Sequence, residues 1–223
     1  MKLVTYVIDG SGEEYEMMLR VWQKTAHEHM PDLRQKVMRM SPPKKQEDLQ
    51  VRMNAFHETL RWVIKQPEDC IITDADIMFL GDIRGVMARD FDIAITTREY
   101  KRVPKSRYNS GVVYFRATDK GRKFLKKWIK KLEDPKMVDG GYSGPNQAAL
   151  ARVLSANKKS ESPAKVIELP CAIYNAEQSC WAELSPDVKV LHIKSRLRKA
   201  CFLTIDDPPE HLVRIARKWR GYL

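Results

Sequence analysis

The sequence predicts an α/β layer fold, and two observations carry that expectation. Runs of β-branched apolar residues alternate with segments of helical periodicity. One of the runs, Ile71-Ile72, has the character of a parallel strand covered on both faces. The chain has 223 residues, 43% of them hydrophobic and 9% aromatic, enough to bury a core without disulfides or a structural metal. Charge of both signs at 31% excludes a disordered composition, and collagen-like and disulfide-stapled chains are excluded as well.

The elements follow in order. Residues 3–8 form a strand that stops at the turn Asp9-Gly10-Ser11-Gly12. Met17, Met18, Val21, Trp22 and Thr25 then recur at helical spacing over Glu13–His29, until Pro31 ends the pattern. Residues 38–45, with Pro42-Pro43-Lys44-Lys45, read as a loop, and Leu49, Met53, Phe56, Leu60 and Val63 line one face of a helix over 46–65. A strand at 71–72 leads into Asp74 and Asp76; further strands fit 91–97 and 109–116. Phe124, Leu125, Trp128, Ile129 and Leu132 mark the inner face of a helix over Asp119–Leu132. After a loop at 140–145, a helix begins at Asn146. Strands at Val166–Pro170 and 188–194 flank the turn-like Tyr174-Asn175-Ala176. Residues 211–219 are amphipathic, with Leu212, Ile215, Ala216 and Trp219 on the apolar side.

The chemistry concentrates at Asp74 and Asp76. Ligands of open α/β sheets bind at the carboxyl ends of strands, which is where these two residues fall. In extended chain, residues i and i+2 share a face, so both carboxylates can converge. Two such groups repel unless a divalent cation or a strong donor set relieves them, and oxygen ligands of this kind suit Mg²⁺ or Mn²⁺. The same triplet also reads as a solvated loop in which one Asp caps a helix. The four cysteines (Cys70, Cys171, Cys180, Cys201) match no metal or redox spacing and read as reduced thiols. With no leader-like N-terminus and no apolar run of membrane-spanning length, a cytoplasmic protein without a transmembrane segment is expected.

Charge points to the partner. Lys and Arg number 40 against 29 Asp and Glu, a net +11. The stretch 98–108 carries five basic residues against one acid, and between 120 and 131 there are seven Lys or Arg and no acid. Tyr100 and Tyr108 interleave with the arginines, as on phosphate-binding and stacking surfaces. A polyanionic acceptor or partner is expected, although lysine-rich faces are also ordinary solvated surface.

Five segments taken in order resemble one family over nearly the whole chain. They are Ile71-Ile72-Thr73-Asp74-Ala75-Asp76, Asn109-Ser110-Gly111-Val112-Val113-Tyr114-Phe115, Asn146-Gln147-Ala148-Ala149-Leu150, Leu169-Pro170 with Tyr174-Asn175-Ala176, and Val190-Leu191-His192-Ile193-Lys194. The chain resembles GT-A-fold nucleotide-sugar glycosyltransferases of the glycogenin and lipopolysaccharide-galactosyltransferase type. The resemblance implies a single α/β domain over 1–223, a GT-A (Rossmann-like) mixed, mostly parallel sheet flanked by helices, with a basic C-terminal helical segment at 208–223. It implies a hexosyl- or pentosyltransferase that retains anomeric configuration and uses Mn²⁺ (or Mg²⁺) held by Asp74, Asp76 and His192 against the diphosphate of a UDP-sugar. Thr5 and Tyr6 would meet the uridine, with Asp74, Ala75 and Lys194 completing the donor site. Gln147 and Asn146 would stand at the donor sugar, Gln147 stabilising the oxocarbenium-like centre through its carbonyl oxygen. The family has Asp-Gln where this chain has Asn146-Gln147, and Asn146 reads equally as a helix N-cap after Pro145. The family's Gly-x-x-Lys motif after the histidine is absent; Ser195-Arg196-Leu197-Arg198-Lys199 offers basic residues in its place.

Asn109, Ser110, Arg102, Lys105 and Arg107 are the acceptor-side candidates. DNA, with a hydroxymethylated base flipped from the duplex, is favoured over an anionic lipid or lipopolysaccharide met by the amphipathic C-terminal segment. A non-catalytic nucleic-acid-binding protein on a degenerate transferase fold is the competing class. A metal-dependent nuclease would need a third carboxylate, for which Asp82 and Asp92 are the candidates.

Overall fold

The computed structural model describes residues 1–10, 12–41, 48–98, 107–134 and 144–223, with the side chains of 48–53 and 144–145 set aside. Pro42-Pro43-Lys44-Lys45, Tyr100, Arg102, Lys105 and residues 140–143 therefore lie outside the described residues, as do the side chains of Leu49 and Met53. The chain runs β1 (Lys2–Ile8), α1 (Glu13–His29), β2 (Arg34–Met40), α2 (Asp48–Ile64), β3 (Cys70–Thr73), β4 (Ile77–Phe79), β5 (Ile93–Thr97) and β6 (Tyr108–Phe115). It continues through α3 (Asp119–Leu132), α4 (Gly144–Lys158), β7 (Val166–Pro170), α5 (Cys171–Tyr174), β8 (Val190–His192), α6 (Ser195–Cys201) and α7 (Glu210–Arg220).

Six strands form a mixed, mostly parallel sheet in the order β2-β1-β3-β6-β5-β7. β1 pairs in parallel with β2 and β3, and β5 with β7; β6 alone runs against its neighbours β3 and β5. Alternation along the central strands covers both faces. Cys70, Ile72, Ile93, Ile95, Val113 and Phe115 pack toward α2, α3 and α4. Ile71, Ala94, Val112 and Tyr114 pack toward α1 and β4. A third apolar cluster joins Met18 and Val21 of α1 to Trp181, Leu197 of α6 and the inner face of α7.

Three differences from the sequence expectation bear on function. Residues 38–40 belong to β2 rather than to a loop, because main-chain pairing with β1 from Lys2↔Arg34 to Ile8↔Met40 sets that strand. As a sheet edge it carries Arg34, Gln35, Lys36 and Arg39, a composition that blunts further strand pairing and hides the strand from an apolar-pattern reading. Residues 195–201 form the helix α6, not merely a basic stretch. The apolar side of α7 is spent inside the protein: Leu212, Ile215, Ala216 and Trp219 are 0–4% exposed. That face is not available to a membrane surface, which removes the structural basis of the lipid expectation for this segment. Among the described residues no helix is long and apolar enough to cross a membrane. All four cysteines are free thiols.

Candidate metal and donor site

The sheet delivers the site from its carboxyl edge. β3 ends at Thr73, and the chain passes through Asp74 and Asp76 before β4 begins. The backbone N–H of Asp74 donates to the carbonyl of Gly111 on β6 at 3.0 Å, and the carbonyl of Asp76 accepts from the N–H of Ile193 at 2.7 Å. Antiparallel pairing of β4 with β8 sets Ile77 opposite His192. Two main-chain registers therefore bring together residues far apart in sequence.

Ligand atoms of Asp74, Asp76 and His192 lie within 4.8 Å of one another. His192 Nε2 is 3.1 Å from Asp76 Oδ1 and 3.7 Å from Asp74 Oδ2. Its Nδ1 is 3.0 Å from Asn175 Oδ1. Asn175 donates its Nδ2 to Thr96 Oγ1 at 3.3 Å, while that hydroxyl donates to the Asn109 carbonyl at 2.8 Å. The Asn175 oxygen is thereby the atom facing His192; it takes the Nδ1 proton and leaves Nε2 toward the two carboxylates. Burial, then the charge of Asp76, pushes the Asp74 carboxyl up to about 6. Burial acts to raise Asp76 too, but His192, Arg198 and Lys194 outweigh it and hold Asp76 at about 2. Two converging carboxylates and an imidazole nitrogen suit a divalent cation such as Mn²⁺ or Mg²⁺.

A tight surround fixes these groups. Tyr6 donates its hydroxyl to Asp74 Oδ1 at 3.2 Å, and Arg198 on α6 reaches Asp76 Oδ2 at 2.5 Å with its guanidinium over the Tyr15 ring. A Cβ at Gly111 would stand 2.9 Å from Asn175 Nδ2, 3.0 Å from Asp74 Oδ2 and 3.0 Å from His192 Cε1, so only glycine lets β6 approach this closely. Lys194 pairs with Glu177 at 2.9 Å, and Glu177 also binds Arg98. Arg98 in turn donates from Nη1 to Gln147 Oε1 at 3.3 Å. The Gln147 carbonyl oxygen, expected at the sugar, is thus engaged by Arg98.

The other expected residues are placed as follows. Thr5 is fully buried and its hydroxyl donates to the Thr73 carbonyl, so it holds β3 in place. Ala75, Asn109 and Ser110 are buried beside the site, Asn109 Oδ1 accepting from the Gly111 N–H at 2.9 Å. Asn146 Oδ1 is buried and has no partner among the described residues; the Asn146 carbonyl accepts from Trp128 Nε1 at 3.3 Å. Arg107 pairs with Glu168 of β7 at 2.5 Å. Asp82 binds Arg84, and Asp92 accepts from Thr118 and the Lys165 N–H. Neither joins the cluster, so among the described residues the third carboxylate of the nuclease alternative is missing. Sequence reading did not single out Arg198, Asn175, Glu177 or the ion pair of Arg98. Asn175 lay within the quoted Tyr174-Asn175-Ala176 and Arg198 within the basic 195–199 segment, but neither position carries a local sign of its partner.

Comparison with known proteins bears on the family and the fold. The model of a family described as nucleotide-diphospho-sugar transferase matches residues 14–193, from α1 to just past His192. Among solved structures, a glycosyltransferase involved in the glycosylation of the major capsid of PBCV-1 is similar at TM-score 0.62 and 10% identity, over 87% of this chain and 96% of that one. The glycosyltransferase GlyE of Streptococcus pneumoniae TIGR4 is similar at TM-score 0.63 and 12% identity, and its apo form at 0.66 and 13%. The present chain is covered to 99% in both cases but spans only 59% of the GlyE chains. At these identities the likeness is one of fold. No curated protein matches the sequence.

Proposed function

The chain belongs to the nucleotide-diphospho-sugar transferase family, and from that premise we propose that it moves a sugar from a UDP-sugar to a polyanionic acceptor, with Asp74, Asp76 and His192 holding Mn²⁺ or Mg²⁺. The observation that carries this reading is the convergence of the three ligand atoms within 4.8 Å, with His192 Nε2 left toward the carboxylates by the contact of Nδ1 with Asn175. In the reaction the bond from the sugar C1 to the diphosphate oxygen breaks and its electron pair leaves with the diphosphate. C1 bonds to an acceptor hydroxyl oxygen, whose proton passes to the departing diphosphate oxygen. A bound divalent cation supplies charge stabilisation to that leaving group. The protein's own residues do the rest: Tyr6 and Arg198 orient the carboxylates, and Lys194, anchored on Glu177, offers a second cationic group on the phosphate side.

The acceptor reading rests on charge. Lys120, Lys123, Lys126, Lys127 and Lys130 are exposed on α3 and form no ion pair among the described residues. The opposite, buried face of that helix meets the start of α4, where Trp128 Nε1 donates to the Asn146 carbonyl. With the apolar face of α7 buried, a nucleic acid fits better than a lipid surface, and a hydroxymethylated base in DNA supplies the hydroxyl. Retention of configuration goes with the family resemblance. The test is hydrolysis of a panel of nucleotide sugars with and without Mn²⁺, in the presence and absence of hydroxymethylated DNA. Cation-dependent turnover of one UDP-sugar, diverted into labelled DNA, is the expected result. DNA binding with no turnover of any donor would instead favour the non-catalytic class.

A further inference from the structure

A buried ion pair separates the first turn of α4 from the end of β8. Arg98 follows β5 and is 8% exposed; Glu177 is 5% exposed. Charges so deeply placed persist only when paired and hydrogen-bonded. Arg98 faces Glu177 with both Nε and Nη2, a forked contact that fixes the guanidinium plane. Nη1 is left to donate to the Tyr108 carbonyl at 3.2 Å and to Gln147 Oε1 at 3.3 Å. A guanidinium has donors only, so the Gln147 atom that faces it must be the carbonyl oxygen, and the amide nitrogen is turned the other way. Among the described residues that nitrogen meets no acceptor.

Resting on the transferase reading above, we propose that Arg98, oriented by Glu177, is a positioning residue that presents Gln147 to the substrate as a hydrogen-bond donor through its NH₂ group. Asn146 beside it is neutral, so these two adjacent residues offer amides and no carboxylate. A fixed donor suits the diphosphate oxygen, on which negative charge grows as the C1–oxygen bond breaks. The contribution of Gln147 is thus opposite in polarity to the carbonyl-oxygen role that the sequence resemblance implies.

Gln147→Glu separates the two polarities, because a carboxylate keeps the contact to Arg98 and loses the N–H. The assay is hydrolysis of the UDP-sugar turned over by wild type, beside Mn²⁺-dependent UDP binding by calorimetry and thermal unfolding. Gln147→Glu and Gln147→Ala should lose kcat alike, by about 10- to 100-fold, on the scale of one preorganised donor. UDP affinity should stay within about threefold of wild type, since these variants leave the carboxylate and imidazole ligands intact. Arg98→Lys keeps a positive charge opposite Glu177 but not the fork, and should lower kcat with KM little changed. Wild-type kcat in Gln147→Glu, or in a folded Arg98→Lys, overturns this proposal alone. A wild-type protein that binds no UDP and hydrolyses no nucleotide sugar overturns the transferase reading, and this proposal with it.

Discussion

Asn175 shows how one side chain decides what the centre can bind. Its oxygen receives the Nδ1 proton of His192 and its nitrogen is committed to Thr96, so the imidazole has one tautomer and one orientation. Asn175→Ala should weaken Mn²⁺-dependent UDP binding by about 10- to 100-fold, the usual effect of removing such an outer partner. Asn175→Asp, which keeps an acceptor at Oδ1, should recover much of it; calorimetric titration of both variants checks the pair. Asp74 and Asp76 were legible in the sequence because a strand runs straight into them, and His192 through the family resemblance. Asn175 as a partner was not, nor was the Arg98–Glu177 pair, which spans 79 residues. Nothing local marks two charges that meet only after β5 and the segment following α5 have been brought together. The polarity of Gln147 was likewise invisible, since an amide's two ends are distinguished only by what each one faces.

Elements differ in how much of their placement their own sequence determines. α3 is readable to the residue: Thr118 caps it by accepting from the Gly121 N–H, and Phe124, Leu125, Trp128 and Leu132 recur on one buried face. β2 is the opposite case, a polar strand whose conformation comes from the backbone of β1, so no alternation announces it. α7 was legible as an amphipathic helix while its destination was not. The same pattern serves a membrane surface or a protein core, and only the cluster with α1, α6 and Trp181 decides between them. Trp219→Ala, at a side chain with no exposure, should cost about 3–5 kcal/mol. Thermal unfolding should show a drop on the order of 10 °C. Wild type should not co-sediment with anionic vesicles through this helix; sedimentation that Trp219→Ala and its neighbours abolish without loss of fold would contradict the packing described.

Across the whole molecule, burial sets the thiol chemistry. Burial pushes the thiols of Cys70, Cys171 and Cys201 from 9.0 up to about 12, whereas Cys180 lies half-buried at a turn. A thiol reagent at pH 8 should therefore label one cysteine rapidly in the folded protein and all four after unfolding. Rapid labelling of two or more in the native state would contradict the core assignment. The sign of the linked stability effect follows: unfolded thiols ionise from about pH 9 while the folded ones stay protonated, so stability should fall between about pH 9 and 12. The measurement closest to the central claim is calorimetric titration of UDP with and without Mn²⁺, on wild type and on the Asp74→Asn/Asp76→Asn double variant. The account predicts binding that needs the cation and is lost in the folded double variant. Equal UDP affinity with and without Mn²⁺, unchanged in the double variant, would contradict it.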